Sequence, residues 1–355
     1  MKKNLKLMLG AFVFLFLTSG GLGAFLALRY TQTPASKESR AVIFEVTPSM
    51  SFQSVAAELK KVGVINNAKF FYLYARARGM RSLLRVGEYD LNTDMVPGQV
   101  LAVITSGKSR TKPFVVPEGL NIFEISELFE KQGFGSSEEF LGLVKDKGFI
   151  KSVLGQEHES LEGYLFPETY LITKFMTAKD VITGMVRKFQ SVYSEVAKQN
   201  QLKNWSPHQI VTLASIVEKE TGAPQERKII SSVFHNRLKK QMRLQTDPTI
   251  IYGIAAETGV VPDNIHKSDL LKPTRYNTYV ITGLPPGPIS NPGRDALLAA
   301  MNPDTTEFLY FVSHNDGTHE FTKTYEDHNS AVQKFQINPK AREGKSWRDL
   351  KKVKK

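Results

Sequence analysis

The sequence predicts an α+β fold carried behind an N-terminal apolar span. Three observations predict it. Capped segments with helical periodicity make up most of the chain. Short apolar runs without two-residue alternation, such as Phe308-Leu-Tyr-Phe-Val312, read as buried strands between them. One strand–helix–helix pattern occurs twice. With 355 residues, 41% of them hydrophobic, the chain can build one large or two to three modest domains.

Residues Leu7 to Leu28 are uncharged and mostly apolar, enough for a helix to span a bilayer core. Lys2, Lys3 and Lys6 precede the run and Arg29 follows it. The positive-inside rule then makes residues 1–6 a cytoplasmic stub, 7–28 a transmembrane helix and everything after it extracytoplasmic. Ser19, Gly21 and Gly23 offer small residues for a cleaved signal peptide. The apolar run continues past them through Ala24-Phe-Leu-Ala-Leu28, so an uncleaved anchor is expected. Residues 29–40 form a polar linker.

Two segments then match without gaps at an offset of 70. Val46, Ser51, Val55, Ala56, Leu59, Gly63, Val64 and Phe70 face Val116, Asn121, Ile125, Ser126, Phe129, Gly133, Phe134 and Phe140. Each copy reads as a strand, a polar N-cap, a helix, a glycine stop, a second capped helix and a closing glycine (Gly79, Gly148). The match resumes at an offset of 81, with Tyr89 facing Tyr170, so the second copy carries about eleven extra residues, including Leu161 to Tyr170. An insertion into one copy is where a functional loop is expected. These features set domains at 41–110 and 111–340, with 111–187 resembling a second copy of the repeat.

Further on, Asp180 to Gln199 is an amphipathic helix. Ser206-Pro-His-Gln209 starts another: Ser as cap, Pro first, Gln three residues later. That helix runs to its stop at Gly222. Glu226 to Met242 is a helix with Ile229, Ile230, Val233, Phe234 and Leu238 on one face. Thr246 to Gly253 is a proline-containing segment, and Tyr276 to Gly293 is a shaped loop rich in Pro and Gly. Asn315-Asp-Gly317 turns the strand at Phe308 into a second at Glu320 to Thr324.

Charge narrows the function. The net charge is +12, but the N-terminal lysines carry three of it and the basic tail 341–355, with Lys340, carries six. Residues 7–339 are left with +3, so nucleic acid is not an expected partner; a membrane surface or an acidic polymer suits basic ends better. There is no cysteine, which excludes disulfides and thiolate metal sites. HExxH, P-loop, GxGxxG and GxSxG patterns are absent. His314, His319 and His328 cluster in sequence near the hairpin without a metal-ligand pattern, so no metal and no cofactor is expected.

The chemistry concentrates at Ile210-Val-Thr-Leu-Ala-Ser-Ile-Val-Glu-Lys-Glu-Thr-Gly222, an almost wholly apolar helix ending in Glu218 and Glu220. Such a helix is buried, and a carboxyl at its end is partly desolvated, which raises its pKa as a general acid requires. Neither glutamate has Lys or Arg at i−4 or i−3. Two residues apart, they lie about 200° apart around the axis and cannot share one substrate. Glu168 and Asp247, each beside a proline, could orient a substrate.

Taken in order, the motifs Leu161-Glu-Gly-Tyr-Leu-Phe-Pro-Glu-Thr-Tyr170, Ala214-Ser-Ile-Val-Glu-Lys-Glu220, Arg243-Leu-Gln-Thr-Asp-Pro-Thr249, Tyr276-Asn-Thr-Tyr279, Gly283-Leu-Pro-Pro-Gly-Pro-Ile289 and Asn291-Pro-Gly293 resemble the endolytic murein transglycosylase (YceG-like) family. The resemblance runs from the anchor to about residue 338. It implies a single-pass protein of the bacterial inner (cytoplasmic) membrane, with a LysM-like βααβ subdomain (41–110) and a periplasmic catalytic domain (111–340). It implies cleavage of the β-1,4 bond between N-acetylmuramic acid and N-acetylglucosamine within nascent glycan strands, leaving 1,6-anhydromuramoyl ends. The implied partners are peptidoglycan strands and membrane-bound synthases. The resemblance places the catalytic acid at Glu218, with Glu220 the second choice. A single carboxyl suffices, because the muramoyl C6 hydroxyl replaces the water that ordinary glycosidases activate with a second carboxylate. Gln245, Thr246, Asp247, Tyr276, Asn277, Thr278 and Asn291 are candidates for holding sugar groups; Tyr164, Phe166, Tyr276 and Tyr279 could stack on sugar faces. The alternative is a non-catalytic peptidoglycan-binding scaffold of the wall-synthesis machinery.

Overall fold

The computed structural model describes Phe25 and residues 29–200, 202 and 204–338. The expected stub, all of the expected span but Phe25, and the basic tail lie outside them. Among the described residues no helix is long and apolar enough to cross a membrane. The fold is α+β, with three two-stranded sheets set among helices in the described residues. The chain divides into two compact units, Met1–Pro113 with Leu171–Met176, and Phe114–Tyr170 with Thr177–Lys355.

The first unit contains β1 (Ala41–Val46), α1 (Phe52–Lys61), α2 (Ala68–Ala77), β2 (Gly87–Asn92) and α3 (Pro97–Thr105). Ser51 and Asn67 cap the first two helices by accepting from the amides of Ser54 and Phe70, each at 3.1 Å. β1 and β2 are antiparallel, from Ala41 opposite Asn92 to Val46 opposite Gly87. Phe44, Val55, Leu59, Phe71, Tyr89, Leu91 and Leu101 fill its core. Glu45 and Glu88 face each other across the strand pair, an unfavourable like-charge juxtaposition. Lys174, in the returning segment of this unit, bridges both at 2.6 and 3.2 Å.

Residues 112–172 run through the same order of elements with one helix added, α6: β3 (Lys112–Val115), α4 (Ile122–Lys131), α5 (Ser137–Lys145), α6 (Lys147–Leu154) and β4 (Thr169–Ile172), with β3 paired to β4. The glycine stops match. Gly63 and Gly133 have φ of 78° and 76°. Beyond them, the amides of Val64 and Phe134 bond the carbonyls of Leu59 and Phe129 at 3.0 and 3.1 Å, the Schellman closure. Tyr89 and Tyr170 each donate their hydroxyl to the carbonyl four residues back, Arg85 and Phe166, at 2.8 and 2.6 Å. Two details differ from expectation. Gly148 does not close a helix but lies in the first turn of α6, and Phe140 is buried where Phe70 is 43% exposed.

The second unit is organised around α8 (Pro207–Glu220), following α7 (Ala178–Val196). The capping box forms as the sequence predicts: Ser206 Oγ accepts from Gln209 N at 3.2 Å, and Gln209 Oε1 accepts from Ser206 N at 2.9 Å. Every residue from Ile210 to Val217 is buried. Each large apolar side chain there contributes about 1.5–3 kcal/mol by leaving water, which fixes both the helix and the carboxylates at its end. α8 packs against α9 (Arg227–Lys239), α10 (Asp247–Thr258) and α11 (Arg294–Met301). α10 takes up the proline-containing segment at 246–253 and extends past it. Pro248 sits in its first turn, where a missing N–H costs nothing. No helix or strand interrupts 276–293 apart from the last residue's role as a cap, as expected of a shaped loop. β5 (Tyr310–Ser313) pairs with β6 (His319–Thr322) in the expected hairpin, Asn315 and Gly317 supplying φ of 64° and 93° in the turn. Only Val312 of β5 is buried; Tyr310, Phe311 and Ser313 are half-buried, so the strand is less enclosed than the sequence predicts. α12 (Tyr325–Val332) completes the unit.

Candidate active site

The two glutamates at the end of α8 enter different surroundings. The Glu218 side chain is 7% exposed. Its Oε1 accepts from Arg227 Nη2 at 3.3 Å and its Oε2 from the Gly293 amide at 3.0 Å. Arg227 also lies 4.0 Å from Glu118 and 3.6 Å from Asp295. Burial, and then the charge of Glu218, push the Glu118 carboxyl up from its usual range. The turn before Glu218 does lack a cation; its partner comes instead from nine residues later, at the start of α9.

Glu220 points the other way. Burial pushes its carboxyl up to about 7; the Thr246 hydroxyl, which donates to Oε1, and Arg237 oppose the rise, and Asp247 adds to it. It opens on a cavity of about 590 Å³ lined also by Arg237, Gln245, Asp247, Tyr279 and His319. Arg237 is buried, with Nε donating to Leu309 O at 2.6 Å, Nη1 to Leu244 O at 2.8 Å, and its guanidinium 5.1 Å over the Tyr310 ring. Bonded to neutral carbonyls, it keeps its positive charge available to a carboxylate that has given up its proton. The arrangement can deliver a proton into this open cavity and then stabilise the anion left behind.

The hairpin reaches this cavity through a contact of two glycines. A Cβ on Gly222 would lie 2.5 Å from the carbonyl oxygen of Gly317. Two residues beyond Gly317, His319 receives a clamp from Glu226: Nδ1 lies 2.8 Å from Glu226 Oε2, and the His319 amide donates to Oε1 at 3.1 Å.

The sequence-selected binding residues separate into three groups. Gln245 and Asp247 line the Glu220 cavity, Thr246 bonds Glu220, and Tyr279 donates to Asp247 Oδ1 at 2.7 Å. Thr278, Asn277 and Asn291 are fully buried and spend their polar atoms on the protein itself. Thr278 Oγ1 accepts from Thr246 N at 3.0 Å. Asn277 Nδ2 donates to the carbonyls of Asp269, Leu270 and Lys272. Asn291 Oδ1 accepts from Leu165 N at 2.8 Å while Nδ2 donates to Leu120 O and Glu162 Oε1, each at 2.9 Å. These three brace the loops instead of facing a ligand. Tyr276 lines a separate cavity with His158 and His208. His208 is twelve residues before Glu220 on α8, about 18 Å along the axis. Tyr164 and Phe166 are buried, the former bonding His208 Nδ1 at 2.8 Å. Glu162, within the inserted motif, is buried with its carboxyl pushed up to about 8 by that burial; its Oε2 accepts from Ile122 N at 3.0 Å.

Arg227, Arg237, Glu118, Glu226 and His319 were not selected from the sequence as site residues. A signal existed for Arg237: with Ile230, Val233 and Phe234 it shares a face of α9, and a cation on an apolar face is unusual. Glu118, Arg227 and the Glu226–His319 pair are joined only by folding.

Residues 44–334 match the model of the YceG-like family. An endolytic murein transglycosylase of Bacillus subtilis is 35% identical over 330 residues, covering 88% of this chain and 90% of the relative. One from Streptococcus pneumoniae is 28% identical over 346 residues, covering 89% of this chain but 62% of that longer protein. A crystal structure of a yceG-like protein from Listeria monocytogenes superposes with a TM-score of 0.55 at 33% identity, over 83% of this chain and 100% of that one.

Proposed function

The chain belongs to the YceG-like family, and from that premise we propose that it is a lytic transglycosylase of peptidoglycan whose general acid is Glu220. The observation that carries the assignment is the half-buried Glu220 carboxyl, pushed up to about 7, on the cavity lined by Arg237, Asp247 and Tyr279. Glu218, the acid that the family resemblance selects, ties α8 to Arg227 and to the Gly293 amide, and the exchange of the two glutamates for glutamine decides between them. The substrate is the β-1,4 bond between N-acetylmuramic acid and N-acetylglucosamine inside a glycan strand. Protonated Glu220 gives its proton to the glycosidic oxygen as the C1–O bond breaks. The muramoyl C6 hydroxyl attacks C1 and closes the 1,6-anhydro ring. Arg237 stabilises the Glu220 carboxylate so formed. Gln245, Asp247 and Tyr279 hold sugar hydroxyl and acetamido groups.

Digestion of peptidoglycan by the purified protein should release anhydro-ended fragments from within strands, read by mass spectrometry. Reducing ends alone would make the enzyme a hydrolase, and retention of glycan with unchanged strand length would make it a binding scaffold.

The apolar run from Leu7 to Leu28 supports an anchor in the bacterial cytoplasmic membrane, with the βααβ unit as a LysM-like glycan-binding subdomain outside it. An anchored site acts on strands as membrane-bound synthases make them, and so ends their elongation. Alkaline extraction of membranes checks the anchor: the full-length protein should stay in the pellet, and its release into the soluble fraction would refute it.

A further inference from the structure

The near-neutral body of the chain is not evenly neutral. From Leu59 to Gly87 there are seven basic residues and no acidic one, so the remainder of 7–339 carries −4, the +3 of the whole less these 7. This stretch contains α2. On that helix Phe70, Leu73 and Ala77 fall on one face, at spacings of three and seven, with Lys69 and Arg76 along its edge. The face is bare: Phe70 is 43% and Leu73 44% exposed, while Phe71 and Ala75 on the other side enter the core. The turn that follows adds the exposed Arg81, Leu83, Arg85 and Val86. Arg81 folds back on α2, its guanidinium donating to the Tyr72 hydroxyl and lying 5.2 Å over the Tyr72 ring. The repeat does not demand these features. In the second copy Phe140 is buried, and Glu139 and Asp146 stand at the places of Lys69 and Arg76. α2 also begins beside the end of the apolar run. Tyr30, two residues after Leu28, is buried against its first turn. Its ring lies 5.6 Å from that of Phe70, and its hydroxyl donates to the carbonyl of Asn67, the α2 cap, at 2.9 Å.

We propose that this face of α2, with the turn after it, docks on an anionic phospholipid surface at the foot of the anchor. This rests on the reading of Leu7 to Leu28 as an anchor. Phe70, Leu73 and Leu83 enter the boundary between headgroups and acyl chains, as the apolar face of an interfacial helix does. The lysine and arginine stems lie along that boundary and carry their charges to the lipid phosphates. Tyr30 fastens α2 to the chain just past the anchor, so the face is held beside the surface at high effective concentration and weak contacts suffice. An acidic glycan would match the charge, but it gives no reason for Phe70 and Leu73 to be bare. Docking fixes the orientation of the first unit on the membrane, which a flexible linker alone would leave free.

The chain has no cysteine, so a single introduced thiol reports one position. Full-length Leu73→Cys, carrying an environment-sensitive fluorophore, is reconstituted in vesicles of phosphatidylglycerol and phosphatidylethanolamine that contain lipids with a nitroxide quencher near the headgroup. Asp90→Cys is the reference. Asp90 is exposed on β2 between the core residues Tyr89 and Leu91, so the core separates it from the outer face of α2. The Leu73 probe should be quenched and shifted to the blue, and the Asp90 probe neither. Arg76→Glu combined with Arg81→Glu should weaken the quenching, as should vesicles of phosphatidylcholine alone. Raising salt from about 0.1 M to 1 M should act the same way, because it shortens the Debye length from about 10 Å to about 3 Å. Ala77→Cys, on the same face, replaces Leu73→Cys if melting shows that the latter does not fold. Equal signals at the α2 and Asp90 positions overturn the proposal. So does an α2 probe that responds to soluble glycan strands and not to lipid. Failure of the anchor reading looks different: the unsubstituted protein would not float with phosphatidylcholine vesicles in high salt.

Discussion

Glu220→Gln abolishes glycan cleavage with the fold intact, a loss of at least about 10²–10⁴-fold expected for removal of a general acid. Glutamine keeps an oxygen to accept from the Thr246 hydroxyl and removes the transferable proton. Glu218→Gln keeps measurable cleavage, because its carboxylate serves Arg227 and the Gly293 amide, and its cost is chiefly to stability. The opposite ranking, with Glu218→Gln inactive and Glu220→Gln active, would return the acid to Glu218. A second signature separates the two residues. The Glu220 carboxyl is raised from 4.5 to about 7 on folding, so between those values the folded protein holds a proton that the unfolded chain has released. Stability associated with this group is complete below pH 4.5 and is lost as pH rises through 7. The span corresponds to about 3 kcal/mol at roughly 1.4 kcal/mol per unit. Glu220→Gln removes that slope, so denaturant melts should show the variant gaining on the parent protein between pH 5 and pH 8. A constant difference across that range would count against a proton-holding Glu220.

Gly222→Ala has the next largest effect, and it falls on backbone rather than chemistry. The new Cβ would meet the Gly317 carbonyl oxygen at 2.5 Å and its Cα at 3.1 Å. Neither partner is a side chain that can swing aside, so the hairpin β5–β6 must move away from the end of α8. Activity should fall by more than tenfold, with a stability loss of about 1–3 kcal/mol typical of overpacking. Gly283→Ala is a control, because nothing lies within 4 Å of its added methyl, although its φ of 88° carries a local strain of its own. Melting curves with rates of glycan cleavage check the pair. Full activity in Gly222→Ala would mean that the hairpin is not needed at the cavity.

Local chemistry made part of this molecule legible in its sequence. Ser206 and Gln209 announce the start of α8, Asn315 and Gly317 announce the hairpin, and Gly63 and Gly133 announce helix ends, since each acts on neighbours a few residues away. α10 was hidden because Pro248 reads as a breaker unless its place in the first turn is known. The helical geometry of α8 also shows that Glu218 and Glu220 cannot share a task. Which of them lines the cavity beside Arg237 depends on contacts distant in sequence. That is set by Thr246 and by a hairpin almost a hundred residues further on, and by Arg227 closing the other side. The polar loop residues misled for a related reason. Asn277, Thr278 and Asn291 look like sugar ligands by residue type, but a loop rich in proline and glycine has few backbone hydrogen bonds of its own. Buried amide and hydroxyl side chains supply them.

Lys174 carries a lesson about modularity. The strand pair β1–β2 sets Glu45 opposite Glu88, and the cation that reconciles them arrives from a stretch of chain more than eighty residues later. The first unit is therefore not a cassette that ends at Pro113. Cut there, it keeps two facing carboxylates and loses their shared counter-ion. Recombination that transplants this unit into another protein must carry Leu171–Met176 with it or neutralise one of the two glutamates. The two units are in that sense interleaved in sequence, and neither can drift or be exchanged with full independence.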